Sequence, residues 1–295
     1  VKSGSASNLS GIHRLLSGPS GQFKDVGTPH DARPALRWTV LSYVVGALFV
    51  AATAVLMTQV AGARGATTPA TTIAATATAP ATAQQPVVVL GDSVPAATGC
   101  DCDGFAADVA STLSGPLTNM SIPGLNSNGL VAQLHSARAE NAVRGAKVVI
   151  ITIGANDFDD TSATSACVDL SCYAGTVRTV TANVDSILTR VKATAPSGSR
   201  IVVTGYWNVF LDGKVGAAKG ATYVAISNQL TRKVNTNLAK LSKAHSVLYT
   251  DIYSAFKGRG DLDDTALLAS DGDHPDASGH KLIANAIRAT LRANS

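Results

Sequence analysis

Val87-Val88-Val89-Leu90-Gly91-Asp92-Ser93 runs as an unbroken apolar stretch and stops on Gly-Asp-Ser. It is too short for a helix, and it lacks the alternation of a half-exposed strand. A continuous apolar run of this length fits a strand buried on both faces of a parallel sheet. A second such run, Lys147–Ile153, breaks in the same way into Gly154-Ala155-Asn156-Asp157. Outward from these two, strands are expected at Leu117–Ser121, Arg200–Gly205 and Ser246–Thr250. Helices are expected at Phe105–Leu113, Ser127–Arg144, Tyr173–Thr194, Thr222–Ala244 and Ala277–Ala293. Short strands alternating with longer helices imply an α/β fold with a five-stranded parallel sheet covered on both faces.

A serine at the tip of a buried strand is where a nucleophile would sit. Asp271-Gly272-Asp273-His274-Pro275 supplies an acid and a base three residues apart. Serine, imidazole and carboxylate together suggest acyl transfer through a serine nucleophile. Ser93 would attack, His274 would act as general base and then acid, and Asp271 would orient the imidazole. Asp273 is nearer in sequence, but neighbouring side chains in an extended loop tend to point apart. Of the six histidines, His13 and His30 lie near the N-terminus, and His135, His245 and His280 lie in or beside expected helices and strands. Only His274 has a carboxylate at a suitable offset, a stiffening Pro and a helix just after it. Ser121-Ile122-Pro123-Gly124 and Asn156 each follow a strand. The backbone N–H groups of Ser93 and Gly124 and the Asn156 amide are candidate oxyanion donors. Asp157 would brace its loop. Ordinary readings exist for each: Ser93 as a helix N-cap, Gly124 and Asn156 as turn residues. The absence of any Gly-x-Ser-x-Gly counts against the α/β-hydrolase nucleophile elbow.

These four blocks, in this order, resemble the SGNH hydrolases, also called GDSL-type esterases and lipases, from about Val87 to the C-terminus. The resemblance implies a three-layer α/β/α, flavodoxin-like fold with strand order 2-1-3-4-5. Strands 1 and 3 are then neighbours at the switch point where open α/β sheets bind ligands. It also selects Asp271, three residues before His274, as the triad acid, and it calls for no metal or organic cofactor. The implied substrate is a small-molecule ester, a lipid or an acylated glycan, with a monomer expected. Acyl transfer to another alcohol on the same site is the first alternative. A tethered, non-catalytic binding domain on the same fold is the second.

Charge is unevenly placed along the 295 residues. Residues 1–86 carry six basic side chains and two acidic ones, which accounts for the whole net charge of +4. Residues 87–295 hold 18 of each and are neutral. A neutral domain gives no reason to expect nucleic acid as a partner. Residues 1–37, rich in Ser, Gly and Pro, read as a disordered cytoplasmic tail. Residues 38–60, from Trp38 to Val60, form a run of 23 without a charge, long enough to span a bilayer as a signal-anchor helix. Arg33 and Arg37 precede it, which places the N-terminus in the cytoplasm and the rest outside. The alternative is secretion after cleavage near Ala63. Residues 61–86 are rich in Ala, Thr and Pro and read as a linker, leaving 87–295 as the catalytic domain. This layout resembles bacterial cell-envelope members of the family, especially actinobacterial ones.

The four cysteines, Cys100, Cys102, Cys167 and Cys172, all lie in the exported part, where disulfides are expected. A Cys100–Cys102 ring would be tight, so two bridges joining the loops after strands 1 and 3 are the preferred pairing. The spacings suit zinc poorly. Tyr206-Trp207-Asn208-Val209-Phe210 follows the fourth strand, either as a substrate wall or as a core anchor. Asp261, Asp263 and Asp264 read as a solvated acidic turn, since the spacing of a calcium loop is missing.

Overall fold

A computed structural model describes residues 84–158, 167, 169–260 and 262–294. The expected tail at 1–37, the span at 38–60 and all but the last three residues of the linker lie outside the described residues. Among the described residues, no helix is long and apolar enough to cross a membrane.

Five parallel strands form one sheet: β1 (Val87–Gly91), β2 (Leu117–Asn119), β3 (Val148–Thr152), β4 (Arg200–Thr204) and β5 (Leu248–Thr250). Their order is β2-β1-β3-β4-β5, the order the family resemblance implies. All five residues of β1 and all five of β3 are buried, and Val87 pairs with Val148 through to Gly91 with Thr152. Each fully buried Val, Leu or Ile side chain contributes roughly 1.5–3 kcal/mol relative to exposure, so this central pair anchors the domain. The edge strands β2 and β5 have three residues each, and short edges limit pairing with other chains.

Two helical layers cover the sheet. Helices α1 (Gly104–Thr112), α7 (Ile252–Lys257) and α8 (Ala277–Ala293) pack together as one layer. Helices α2 (Ser127–Gln133), α3 (Ala137–Gly145), α4 (Ala174–Thr194) and α6 (Ala221–Ala244) form the other. A short α5 (Gly213–Ala217) precedes α6.

The sequence reading and the structure part in two places. The helix expected over Ser127–Arg144 is two helices, broken at Leu134–Ser136. Ser136 Oγ donates to Gln133 O at 2.7 Å and accepts from Ala139 N–H at 3.2 Å. It thus closes one helix and caps the next, and His135 lies exposed in the break rather than inside a helix. Helices α5 and α7 were not expected. Both are N-capped by aspartates, Asp212 and Asp251, a signal the sequence does carry.

Candidate active site

The nucleophile candidate is set by the end of β1. Gly91 has φ +152° and lies so close to β3 that an added Cβ would sit 2.0 Å from Thr152 O. Only glycine allows the two strand ends to approach this tightly. Beyond it Asp92 N–H donates to Thr152 O at 3.2 Å, and Asp92 Oδ1 accepts Val94 N–H at 3.0 Å. The chain therefore turns sharply at Ser93, which is half-buried. Helix α1 begins only at Gly104, with Asp103 at its N-cap, so helix capping does not explain Ser93.

Behind Ser93 lies a pair that sequence reading missed. Tyr206, at the end of β4, donates its phenolic hydrogen to Asp92 Oδ2. Asp92 is 1 % exposed. Burial pushes its carboxyl up to about 7, against the Tyr206 and Val94 hydrogen bonds that favour the charged form. The Tyr206 phenol is pushed well above its ordinary value, first by burial and then by Asp92. A buried aspartate one residue before the nucleophile needs a donor, and a tyrosine at the next strand end but one was a place to look.

The loop from Leu268 to Pro275 carries the candidate acid and base. His274 Nδ1 lies 2.7 Å from Asp271 Oδ2, and Asp271 Oδ1 accepts the backbone N–H of Asp273 at 2.9 Å and of His274 at 3.0 Å. Desolvation pushes the Asp271 carboxyl up, but the hydrogen bonds from His274 and the two backbone groups outweigh it and hold it below its ordinary value. Asp273 does not point away. Its Oδ2 lies 3.8 Å from His274 Nε2, because the turn at Gly272 curls the loop rather than extending it. Gly99 packs against this pair, where an added Cβ would stand 2.9 Å from His274 Cβ and 3.4 Å from Asp271 Oδ2.

Ser93, Asp92, Asn156 and Asp273 line one pocket with Phe158, Tyr206, Trp207, Asn208 and Phe210; its volume is about 200 Å³. Asn156 Nδ2 donates to Leu125 O at 3.1 Å, which uses one of its two hydrogens and ties the loop after β3 to the residue after Gly124. Gly124 is exposed, with φ +77° and nothing within 4 Å of where a Cβ would be. The backbone N–H groups of Ser93 and Gly124 have no hydrogen-bond partner among the described residues. Asp157 accepts Ser127 N–H at 2.8 Å and Ser127 Oγ–H at 2.7 Å, so it braces its loop onto the start of α2. The segment after β4 is both wall and anchor: Tyr206, Trp207, Asn208 and Phe210 are buried yet line the pocket. The Trp207 indole N–H has no partner among the described residues.

The cysteines pair locally, Cys100 with Cys102 and Cys167 with Cys172, not across the two loops as expected. The loops diverge. Gly99 sits on His274 and Gly104 near His280, whereas Tyr173, next to Cys172, packs between Phe158 and Phe210. Among the described residues, Cys100, Cys102 and His280 bring potential metal ligand atoms within 4.8 Å of one another. Both sulfurs are spent in the disulfide, and His280 Nδ1 accepts the Phe105 N–H at 3.3 Å, serving the start of α1.

The acidic turn also departs from expectation. Asp261 lies outside the described residues, and Asp263 is exposed and caps Thr265. Asp264 is buried beside Asp212, which pairs with the buried Lys257. Burial, then the Asp212 charge, push Asp264 up to about 7. Asp212 N–H donates to Gly272 O at 2.7 Å, so this cluster supports the loop that carries Asp271 and His274.

The arrangement brings the candidate nucleophile, acid, base and oxyanion donors to loops at the same end of the sheet, and it can be set beside known proteins. The model of the GDSL-like lipase/acylhydrolase family matches residues 89–282. Three solved structures share the fold. A lipase from a goat rumen metagenome is 19 % identical, with 70 % of this chain and 97 % of that one covered and a TM-score of 0.59. A phospholipase A1 from Streptomyces albidoflavus NA297 is 24 % identical, with 70 % and 100 % covered and a TM-score of 0.54. An extracellular lipase from Streptomyces rimosus is 21 % identical, with 70 % and 99 % covered and a TM-score of 0.52. Curated protein sequences give no match. With the family match spanning the sheet, the Gly-Asp-Ser turn and the Asp271–His274 loop, the chain belongs to the GDSL-like lipase/acylhydrolase family and is a serine ester hydrolase of the SGNH type.

Proposed function

We propose that the protein hydrolyses carboxylic esters outside the cytoplasm through an acyl-enzyme on Ser93. Ser93 Oγ attacks the ester carbonyl carbon while His274 Nε2 takes the hydroxyl proton. The carbonyl oxygen becomes an oxyanion, held by the N–H groups of Ser93 and Gly124 and by the Asn156 amide. Collapse of this intermediate breaks the ester C–O bond, and His274 returns the proton to the departing alcohol. Water then attacks the acyl-enzyme, with His274 as base again, releasing the acid and free Ser93.

The observation that carries this reading is the orientation of His274. Asp271 occupies Nδ1 at 2.7 Å, while Nε2 lies 3.8 Å from Asp273, a residue of the pocket that Ser93 lines. Labelling the protein with an organophosphonate and assaying p-nitrophenyl esters tests it. Adduct on Ser93 and loss of turnover in Ser93→Ala, on the order of 10⁶ in kcat, are expected. A Ser93→Ala protein that keeps its turnover would sink the nucleophile. Hydrolysis is favoured over transfer to another alcohol because Ser93 and Asn156 border a polar pocket that water can enter.

Export is supported by two features. Both cysteine pairs are disulfides, which persist in oxidising compartments, and the uncharged run at 38–60 has the length of a membrane anchor. In membrane fractions of expressing cells, the chain should pellet and be extracted by detergent but not by carbonate. Recovery of the activity in the soluble fraction, with the N-terminus beginning near Ala63, would replace the anchor with a cleaved signal.

A further inference from the structure

We infer that the Cys100–Cys102 disulfide is a redox-sensitive latch on the base: closed, it seats Gly99 against His274 and Asp271, and opened to two thiols it lowers turnover; this rests on the ester-hydrolase reading above. Gly99 carries the contact. An added Cβ there would stand 2.9 Å from His274 Cβ, 3.3 Å from His274 Cγ and 3.4 Å from Asp271 Oδ2, so its backbone lies directly against the acid–base pair. The same loop carries the nucleophile. Thr98 N–H donates to Ser93 O at 3.0 Å, and Cys100 N–H donates to Ala97 O at 3.3 Å. One short segment thus holds Ser93 at one end and backs His274 near the other, and the separation of nucleophile and base depends on its shape.

The disulfide fixes that shape beside Gly99. Gly99 has φ +76°, and glycine leaves the chain free to take either sign of φ. Beyond it Asp101 and Asp103 are exposed, and Asp103 stands at the N-cap of α1 without a side-chain cap. The next firm anchor is Gly104, where an added Cβ would stand 2.6 Å from Ala97 Cβ, with Phe105 N–H on His280 Nδ1 at 3.3 Å. Linking Cys100 to Cys102 braces the span between Gly99 and that anchor. Both cysteines are half-buried, so a small dithiol reaches them. It gives up two electrons and two protons and becomes a cyclic disulfide, while the Cys100–Cys102 bond opens to two thiols. A ring closed over so few residues removes little freedom from the unfolded chain, so its opening acts on the geometry of the loop more than on the fold. A misplacement of about 1 Å between reacting groups can cost roughly 10² in rate. The chain is therefore slow while these thiols are reduced, as in the cytoplasm, and reaches full turnover once oxidised outside it.

The test compares the oxidised and reduced full chain on p-nitrophenyl acetate, with alkylation and mass analysis reporting which thiols are free. Opening the Cys100–Cys102 bond with a dithiol should lower kcat by about tenfold or more, leave KM within about twofold, and reverse on reoxidation. Circular dichroism should stay that of the oxidised protein. Cys100→Ser/Cys102→Ser should show the low kcat from the start and no further fall with the dithiol. Cys167→Ser/Cys172→Ser should fall on reduction as the wild type does, which assigns the effect to the first pair. Gly99→Ala keeps the disulfide and presses a methyl on the same acid–base pair, so its kcat should fall too, and it serves if the cysteine variants fail to fold. Reduced protein with Cys100 and Cys102 free that keeps kcat within about twofold, or a loss of turnover that only follows loss of the circular dichroism signal, would overturn the latch while leaving the esterase standing. If the oxidised protein turns over no ester and forms no phosphonate adduct on Ser93, the ester-hydrolase reading itself falls, and this inference with it.

Discussion

Two concavities on this molecule invert the usual relation between size and importance. The groove between α4 and α6 offers about 810 Å³ and is lined by Val177, Leu230 and Leu241 with Arg178, Asp185 and Lys233 among its polar residues. The pocket beside Ser93 is about a quarter of that volume. The two share no lining residue. Large apolar pockets are the default ligand-site hypothesis, yet no residue that directly follows a strand lines the groove. The smaller pocket holds Ser93 and Asn156 at the ends of two adjacent buried strands, where open parallel sheets place their chemistry. Convergence of reactive groups, rather than room, marks the site.

The widest separation between the two regions comes from the acid. Asp271→Asn should leave the loop geometry nearly intact, because Oδ1 still accepts the Asp273 and His274 N–H groups. Its amide would face His274 Nδ1 as a donor and favour the wrong tautomer, and kcat should fall about 10⁴-fold. Steady-state kinetics on a short ester measures this. A fall of less than tenfold would break the assignment of Asp271 and turn attention to Asp273, which lies 3.8 Å from Nε2.

Asn156→Ala should cost about 10²–10³ in kcat, as expected for one oxyanion donor, with KM little changed. The same substitution removes the Nδ2 bond to Leu125 O. A rise in KM with kcat preserved would therefore mean that Asn156 ties two loops together and does not stabilise the transition state.

How far the sequence led can be judged at single residues. The two central strands were legible because their apolar runs are unbroken and both end in turn residues, and α8 runs over Ala277–Ala293 as read. The break at Ser136 was not, because the apolar spacing continues across it and only a local side-chain bond decides the matter. Ser93, Gly124, Asn156 and His274 were singled out from motifs placed after strands or before a helix, and the resemblance to the SGNH family selected Asp271. The disulfide pairing was misread, since connectivity depends on the direction each loop takes over the sheet. Asp264 was read as part of a solvated acidic turn, and the groups beside it in the fold, Asp212 at the N-cap of α5 and Lys257 at the end of α7, are distant in sequence or on another element. The Asp92–Tyr206 pair joins residues 114 positions apart, a contact that no local pattern reports.

That pair sharpens the comparison in stability rather than rate. Asp92 has a folded value of about 7 against about 3.9 in an unfolded chain. Between these values the folded state binds more protons than the unfolded one, so stability falls as pH rises. The contribution is fully present below about pH 4 and lost by the time pH passes 7. Asp92→Asn carries no proton to lose. Chemical denaturation from pH 4 to 8 should therefore show the wild type losing stability relative to Asp92→Asn up to about pH 7 and running parallel above it. A wild type that gains on the variant as pH rises would show that the Tyr206 and Val94 hydrogen bonds outweigh burial and that Asp92 is ionised throughout.

The smallest expected effect belongs to the groove. Ala182 lies on α4, exposed, among the groove residues. Ala182→Lys adds bulk and charge there without creating a buried polar group or disturbing a packed side chain, so stability should move by no more than about 0.5 kcal/mol. Turnover of short esters should match the wild type within twofold, because no lining residue is shared with the Ser93 pocket. Long esters supply the sharper arm. If Ala182→Lys lowers turnover of decanoate while sparing acetate, the groove is receiving the long chain, and the two concavities act together. If both esters are unaffected, the groove is only the seam left where two amphipathic helices pack, and the chemistry rests with Ser93, Gly124, Asn156, Asp271 and His274.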